Sequence, residues 1–182
     1  MADTPSKNFE AMLTGGHPNS LGRTIEVVEA CLADPNRFAE LFACYQSPDP
    51  IVRLRVSNAM KRIARENLPL LIPYIDRFIN EISDLKQDSA QWTLAQLFLL
   101  LETHMTTSQK QGAVKIMQRN LADNADWIVL KTNMGTLAKW AVRGEGDATL
   151  QAWLLPHVQR LQKDSRKTVA RQATKAHALL TK

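Results

Sequence analysis

The chain has 182 residues, of which 45% are hydrophobic and 23% charged, with a net charge of +5 and an isoelectric point near 9.4. This length suits one domain, and this composition excludes a disordered chain. No apolar run approaches the ~18 residues of a membrane span, and residues 1–16 lack the apolar core of a signal peptide. We therefore expect a cytoplasmic protein with no membrane partner. The basic charge mildly favours an acidic partner.

The first 20 residues are mostly polar and are broken by Gly15, Gly16 and Pro18. They are predicted to form a flexible N-terminal segment, although Phe9–Leu13 has the composition of a short helix. Beyond this segment the apolar residues recur at helical spacing almost without interruption.

Prolines and polar turns divide the remainder into consecutive helices. A proline is tolerated in the first turn of a helix and ends a helix that has already formed. No segment of useful length alternates with period two, so the predicted class is all-α. The predicted helices span residues 21–33, 35–46, 50–66, 69–82, 89–104, 107–121, 125–142, 147–162 and 165–180.

Four aspartates, each just before or at the start of a helical apolar pattern, recur at nearly constant spacing. Asp49, Asp88, Asp126 and Asp164 are 39, 38 and 38 residues apart. A period of about 40 residues is typical of stacked helical repeats, in which each unit is one helix pair.

The segment around residues 47–63 shows the most regular copy of this pattern. Its residues are Ser47-Pro48-Asp49-Pro50-Ile51-Val52-Arg53, followed by Val56, Ala59, Met60 and Ile63. The segment resembles the HEAT-repeat signature, in which an Asp-containing turn is followed by Val-Arg and then by small and apolar residues. The other copies match more loosely, and Leu130 replaces the arginine in the third.

The resemblance covers residues 35–182. It implies repeat units at residues 35–66, 68–104, 106–143 and 147–182, preceded by a capping helix at 21–33. It implies a right-handed α-solenoid of about four HEAT-like helix pairs plus an N-terminal capping helix, forming a single domain over residues 21–182. In HEAT arrays the second helix of each pair lines the concave face, which is the usual binding site.

Basic residues concentrate on the four predicted second helices, which carry thirteen Lys and Arg residues against four acidic ones. One interpretation is an ordinary solvated surface with Asp–Arg contacts across the turns. The other is a basic concave groove for an acidic protein or for phosphates. The predicted contact residues of the groove are Arg55, Asn58, Lys61, Arg62, Arg65, Lys131, Lys139, Arg171 and Lys175.

The functional hypothesis is a non-catalytic HEAT-repeat scaffold that binds an acidic protein or another macromolecule on this basic face. A weaker hypothesis is an accessory subunit whose apolar residues 97–101 dock a partner. No catalytic, cofactor-binding or metal-binding residues are predicted, because no Gly-rich phosphate loop, metal-ligand spacing or His–Glu motif of the HEAT-like hydroxylases occurs. Cys31 and Cys44 are predicted to be small buried apolar residues.

The alternative function is nucleic-acid binding of the DNA alkylation repair type. The HEAT-like alkylpurine DNA glycosylases place an aspartate among tryptophans and arginines in the concave groove. No Trp-x-x-x-Asp occurs on a second helix here, and Asp126 beside Trp127 is explained by N-capping. Trp92 and Trp140 are predicted to be core residues, whereas Trp127 is predicted to be exposed.

Overall fold

The computed structural model describes residues 8–17, 19–143 and 147–182. Within these ranges every regular element is helical, so the all-α prediction is confirmed. The α-helices are α1 (Phe9–Leu13), α2 (Thr24–Ala33), α3 (Phe38–Ala43), α4 (Pro50–Glu66), α5 (Ile75–Asn80), α6 (Asp88–Leu101), α7 (Thr107–Asp123), α8 (Trp127–Ala141), α9 (Ala148–Leu161) and α10 (Lys167–Leu180). Short 3-10 turns connect several of them, at Pro35–Arg37, Cys44–Gln46, Leu68–Leu70, Ile72–Tyr74, Ile82–Asp84 and Glu102–His104.

The chain divides into two compact units, residues 1–74 and 75–182. In the first unit α2 packs along α4, and α1 contacts α2, α3 and α4. The side chains of Phe9 and Leu13 in α1 are fully buried. The flexible segment predicted for residues 1–20 therefore does not include α1, while residues 1–7 and 18 of that prediction lie outside the described residues.

Helix α4 begins and ends at the predicted residues. Asp49 is its N-cap, and the carboxylate accepts a hydrogen bond from the Ile51 amide at 2.8 Å. Pro50 occupies the first helical position, where its missing N–H costs nothing. Val52, Val56 and Ile63 form its fully buried stripe, at the spacing that the sequence predicts.

The helix predicted over residues 69–82 is broken in the structure. Two 3-10 turns, Leu68–Leu70 and Ile72–Tyr74, precede the six-residue α5, and a third turn follows it. Pro73 is the physical reason, because it has no N–H for the residue-69 carbonyl and its ring clashes with the preceding turn of an α-helix. The apolar spacing alone did not predict this interruption.

The second unit is organised around α8. Helix α8 packs against α6 on one side and α10 on the other, while α7 and α9 also contact it. The buried hydroxyl of Thr136 in α8 donates to the Ala95 carbonyl of α6 at 2.9 Å. Helices α6 and α8 to α10 begin and end within three residues of the predicted bounds, and α7 extends two residues further.

The four spaced aspartates all lie at helix starts, but they act differently there. Asp126 caps α8 by accepting from the Ile128 and Val129 amides. Asp88 is instead the first residue of α6 and accepts from Asn124 Nδ2, and Asp164 lies in the turn before α10. In the part of the chain that the structure describes, no helix is both long and apolar enough to cross a membrane.

Candidate macromolecule-binding surface

Arg55 is not a surface residue, and its predicted role as a partner contact is corrected by the structure. Its side chain is 2% exposed, and its guanidinium donates to the backbone carbonyls of Leu13, His17 and Ser20 at 2.6, 3.4 and 3.2 Å. A β-carbon at Gly22, which has a φ of +51°, would lie 2.8 Å from Arg55 Cζ. Arg55 therefore fixes the segment that connects α1 to α2.

The other predicted residues of α4 are at least partly accessible. Arg65 is exposed, whereas Asn58, Lys61 and Arg62 are half-buried. The Arg62 guanidinium donates to Asn58 Oδ1 at 2.8 Å, which orients both side chains along one helix face. Burial, together with the charges of Arg65 and Arg62, lowers the pKa of Lys61. This crowding of like charge favours an anion nearby.

Lys131 and Lys139 of α8 and Arg171 and Lys175 of α10 lie on two helices that pack against each other. A β-carbon at Gly135 would lie 3.0 Å from Gln172 Nε2, so the two helices approach closely there. Lys131 and Lys139 lie four residues before and after Gly135, hence on the same face of α8. Arg171 and Lys175 flank Gln172 on α10. We call these four residues the α8–α10 basic face.

No acidic residue occurs in α8 or α10, which together hold five Lys and Arg residues. Among the described residues no carboxylate forms an ion pair with any member of the α8–α10 basic face. Lys139, Arg171 and Lys175 are exposed and Lys131 is half-buried. The basic face thus presents uncompensated positive charge to solvent.

An aromatic side chain lies beside this positive charge. Trp127, in the first turn of α8, is 42% exposed, and Lys131 Nζ lies 6.0 Å from its ring centroid. Leu100 of α6 is 41% exposed. The structure confirms the predictions that Trp127 is exposed and that Trp140 is buried, while Trp92 is half-buried.

The sequence interpretation missed Lys167. This exposed residue opens α10 four residues before Arg171. The spacing of Lys167, Arg171 and Lys175 at i, i+4 and i+8 is a signal that could have identified all three as one helix face.

The segment 97–101, predicted as a docking surface in one hypothesis, is mainly core. Leu97, Phe98 and Leu101 are fully buried, and only Leu100 of this segment is exposed. This hypothesis is corrected because α6 packs against α8 and so covers most of its apolar surface.

The two cysteines of the chain have structural positions. Cys31 and Cys44 are free and buried as predicted, and burial is the main cause that raises their pKa values to about 12 and about 11. Thiols with such pKa values are poor nucleophiles at neutral pH. Among the described residues no group of three or more His, Cys, Asp or Glu side chains is placed to hold a metal ion.

No protein-family model matches the chain, and no curated protein is significantly similar to it. Its fold is similar to that of an engineered protein whose crystal structure was determined by the Northeast Structural Genomics Consortium. The two chains are 15% identical and superpose with a TM-score of 0.64, over 94% of this chain and 79% of the engineered one. At this identity the likeness concerns the fold alone.

Proposed function

We propose that this chain is a non-catalytic α-solenoid of HEAT-like helix pairs whose α8–α10 basic face binds an acidic segment of a partner protein. The observation that carries the proposal is the close packing of α8 on α10, two helices that hold Lys131, Lys139, Arg171 and Lys175 and no acidic residue. The α8–α10 basic face is in this view part of a concave surface.

The packing of the second unit supports a solenoid there. Helices α6, α8 and α10 start near the spaced aspartates and contact one another in sequence order, while α7 and α9 join consecutive members of this row. In a solenoid each repeat contacts mainly its neighbours, which produces such a row. Its right-handed twist and the count of about four helix pairs stay predictions.

Charge complementarity supports an acidic partner. Two neighbouring helices with five basic and no acidic residues produce a local positive potential, which attracts an acidic segment and speeds its association. The side chains of Asn58, Lys61, Arg62 and Arg65 on α4 would form a second contact region in the first unit.

The exposed apolar groups favour a protein over a nucleic acid. Leu100 of α6, the helix that packs against α8, offers aliphatic contact and no stacking surface, and Trp127 offers an exposed aromatic ring next to Lys131. Protein interfaces typically combine aromatic and aliphatic anchors with a polar rim, whereas phosphate binding requires mainly rows of cations. The preferred ligand is therefore an acidic segment that also carries apolar side chains.

The test uses a labelled helical peptide with glutamates on one face and leucines on the other, titrated by fluorescence anisotropy at low salt. The variant Arg171→Glu/Lys175→Glu should bind the peptide at least roughly tenfold more weakly than the unchanged chain, because two attractions become repulsions. The control Lys86→Glu/Lys163→Glu has the same net charge but alters exposed residues in turns. It should bind within about twofold of the unchanged chain.

Two results would overturn the proposal. If both double variants lose affinity equally, net charge rather than the α8–α10 basic face determines binding. If a labelled DNA duplex of similar charge binds more tightly than the peptide, and its affinity falls steeply with salt, the nucleic-acid alternative replaces the protein partner.

A further inference from the structure

A second surface feature, away from the α8–α10 basic face, is a groove of about 630 Å³ within the second unit. It is lined by one side of α7, by the C-terminal end of α8 and by the N-terminal end of α9. We call it the α7–α9 groove. Its volume lies within the range of about 300–1,000 Å³ that is typical of small-molecule sites.

The lining of the α7–α9 groove combines apolar and positively charged groups. Val114, Trp140 and Leu150 provide the apolar part, and Lys110 and Lys115 of α7 provide ammonium groups. Neither lysine has a carboxylate partner among the described residues. Apolar walls with a few polar groups are what a small ligand needs for affinity and orientation.

Both carboxylates of the groove are already engaged. Glu102 forms an ion pair with Arg143, and Asp147 accepts a hydrogen bond from the Leu150 amide at 2.9 Å as the N-cap of α9. The hydrogen bond does not remove the charge of Asp147, but Lys110, Lys115 and Arg143 outnumber the two carboxylates of the lining. The charge that remains open in the groove is positive.

Trp140 of α8 forms part of the wall of the groove. Its side chain lines the groove, it is 8% exposed, and its indole nitrogen has no hydrogen-bond acceptor in the described part of the chain. Buried indole N–H groups usually have a partner. The indole nitrogen itself is buried, so the groove meets the ring of Trp140 rather than this N–H.

We propose that the α7–α9 groove binds a small aromatic anion, a carboxylate or sulfonate whose flat body lies against Trp140, Val114 and Leu150. The anionic group lies near Lys110 and Lys115, where each ammonium donates a charge-assisted hydrogen bond. This site is independent of the binding of an acidic protein segment.

The experiment titrates the full chain with 8-anilinonaphthalene-1-sulfonate and follows the fluorescence of the dye. The unchanged chain should bind one equivalent saturably, and Lys110→Ala/Lys115→Ala should weaken binding roughly tenfold because both ammonium groups are lost. Lys86→Ala/Lys163→Ala, which removes two exposed lysines elsewhere, should bind like the unchanged chain. Equal affinity in both double variants would overturn the proposal.

Two further measurements separate the groove from other causes of dye binding. N-phenyl-1-naphthylamine has a similar aromatic body without the sulfonate, and it should bind at least roughly tenfold more weakly than the sulfonate. Val114→Glu places a carboxylate on the half-buried wall of the groove and should abolish sulfonate binding while the circular dichroism spectrum stays unchanged. Undiminished binding by this folded variant would contradict the assignment.

Arg171→Glu/Lys175→Glu should leave dye binding unchanged, so that this site and the acidic-peptide site succeed or fail separately.

Discussion

The most consequential single residue of the first unit is Arg55. Arginine presents five N–H donors in a rigid fork, and here they reach the backbone carbonyls of Leu13, at the end of α1, and of His17 and Ser20 beyond it. A carbonyl that is held in this way needs no other partner. Gly22 allows the close approach, since any larger residue there would combine a positive φ with a β-carbon 2.8 Å from the guanidinium carbon.

Replacing Arg55 should test this structural role. Arg55→Ala removes all three hydrogen bonds and leaves the buried Leu13 carbonyl without this donor, so the free energy of unfolding should fall by about 2–4 kcal/mol. Arg65→Ala, on the same helix but exposed, should change it by less than about 0.5 kcal/mol. Urea denaturation followed by circular dichroism measures both. If the two variants were equally stable, Arg55 would not hold the segment between α1 and α2.

Two buried threonines in the second unit should respond differently to replacement by valine. The Thr136 hydroxyl donates to the Ala95 carbonyl, whereas the hydroxyl of Thr93, also fully buried, has no partner among the described residues. Thr136→Val should lower the free energy of unfolding by about 1–2 kcal/mol because it removes one buried hydrogen bond.

Thr93→Val should leave stability unchanged or raise it by up to about 1 kcal/mol, because burial of an unpaired hydroxyl is itself unfavourable. Both substitutions are nearly isosteric, so packing differences largely cancel. Thermal or urea denaturation of the two variants gives the result. A loss of stability in Thr93→Val as large as that in Thr136→Val would show that the Thr93 hydroxyl has a partner.

At the scale of elements, the start of α10 depends on an ion pair. Asp164 accepts from the Arg166 amide at 2.9 Å and from its guanidinium at 2.7 and 2.8 Å. Hydrogen bonding from Arg166 is the main cause that lowers the pKa of Asp164 from 3.8 to about 2. This interaction orders the turn before α10, a helix whose own N-cap residue has no side-chain cap.

The lowered pKa of Asp164 predicts a pH dependence of stability. The native carboxylate is favoured relative to the unfolded chain, so its contribution is complete above pH 3.8 and is lost as the pH falls toward about 2. The contribution should stay below about 1 kcal/mol, since Arg166 is 41% exposed and water screens the pair.

Asp164→Asn keeps an acceptor for the Arg166 amide but not the charge. The difference in urea midpoint between about pH 5 and about pH 2 should therefore be smaller in this variant than in the unchanged chain. An identical pH dependence in the two proteins would show that the ion pair does not contribute.

The helices that the sequence predicts well share strong local signals. Helices α4, α8 and α9 begin at aspartate N-caps, and their apolar residues recur at regular helical spacing. The region of α5 lacks such signals. Its apolar periodicity alone does not distinguish an α-helix from successive 3-10 turns around Pro69 and Pro73.

The candidate surface was only partly predictable, because it depends on contacts between residues that are far apart in the sequence. Arg55 lies three residues after Val52 and four before Ala59, so its position is at the edge of the buried stripe of α4. That position could have identified it as buried, but its partners in residues 13–20 are more than 30 positions away. The repeat spacing predicts that Lys139, Arg171 and Lys175 share one surface, but the direct packing of α8 on α10 is seen only in the three-dimensional structure.

At the scale of the whole molecule, the net charge of +5 is unevenly distributed. Helices α4, α8 and α10 hold ten of the 23 Lys and Arg residues but one of the 18 acidic residues. The remainder of the chain is therefore net acidic. A molecule with this asymmetry attracts an acidic partner toward particular helices, which a uniform surface of the same net charge would not do.

The division into two compact units leads to a prediction about independent folding. Residues 75–182 contain all the helices that pack around α8, and Leu94, Leu97 and Phe98 of α6 are buried in that unit. This fragment should therefore keep helical circular dichroism and a cooperative thermal transition, because it retains α6, α7, α9 and α10, which pack against α8.

The matched control is the shorter fragment of residues 107–182, which lacks α5 and α6. Without α6, one side of α8 loses its apolar neighbour and exposes the side chains that were buried there. This fragment should lose the cooperative transition and show increased binding of an apolar dye, as expected of partly folded states. Equal cooperativity in the two fragments would mean that α6 is not part of the core of the second unit. A non-cooperative transition in residues 75–182 would mean that this unit requires the first 74 residues to fold.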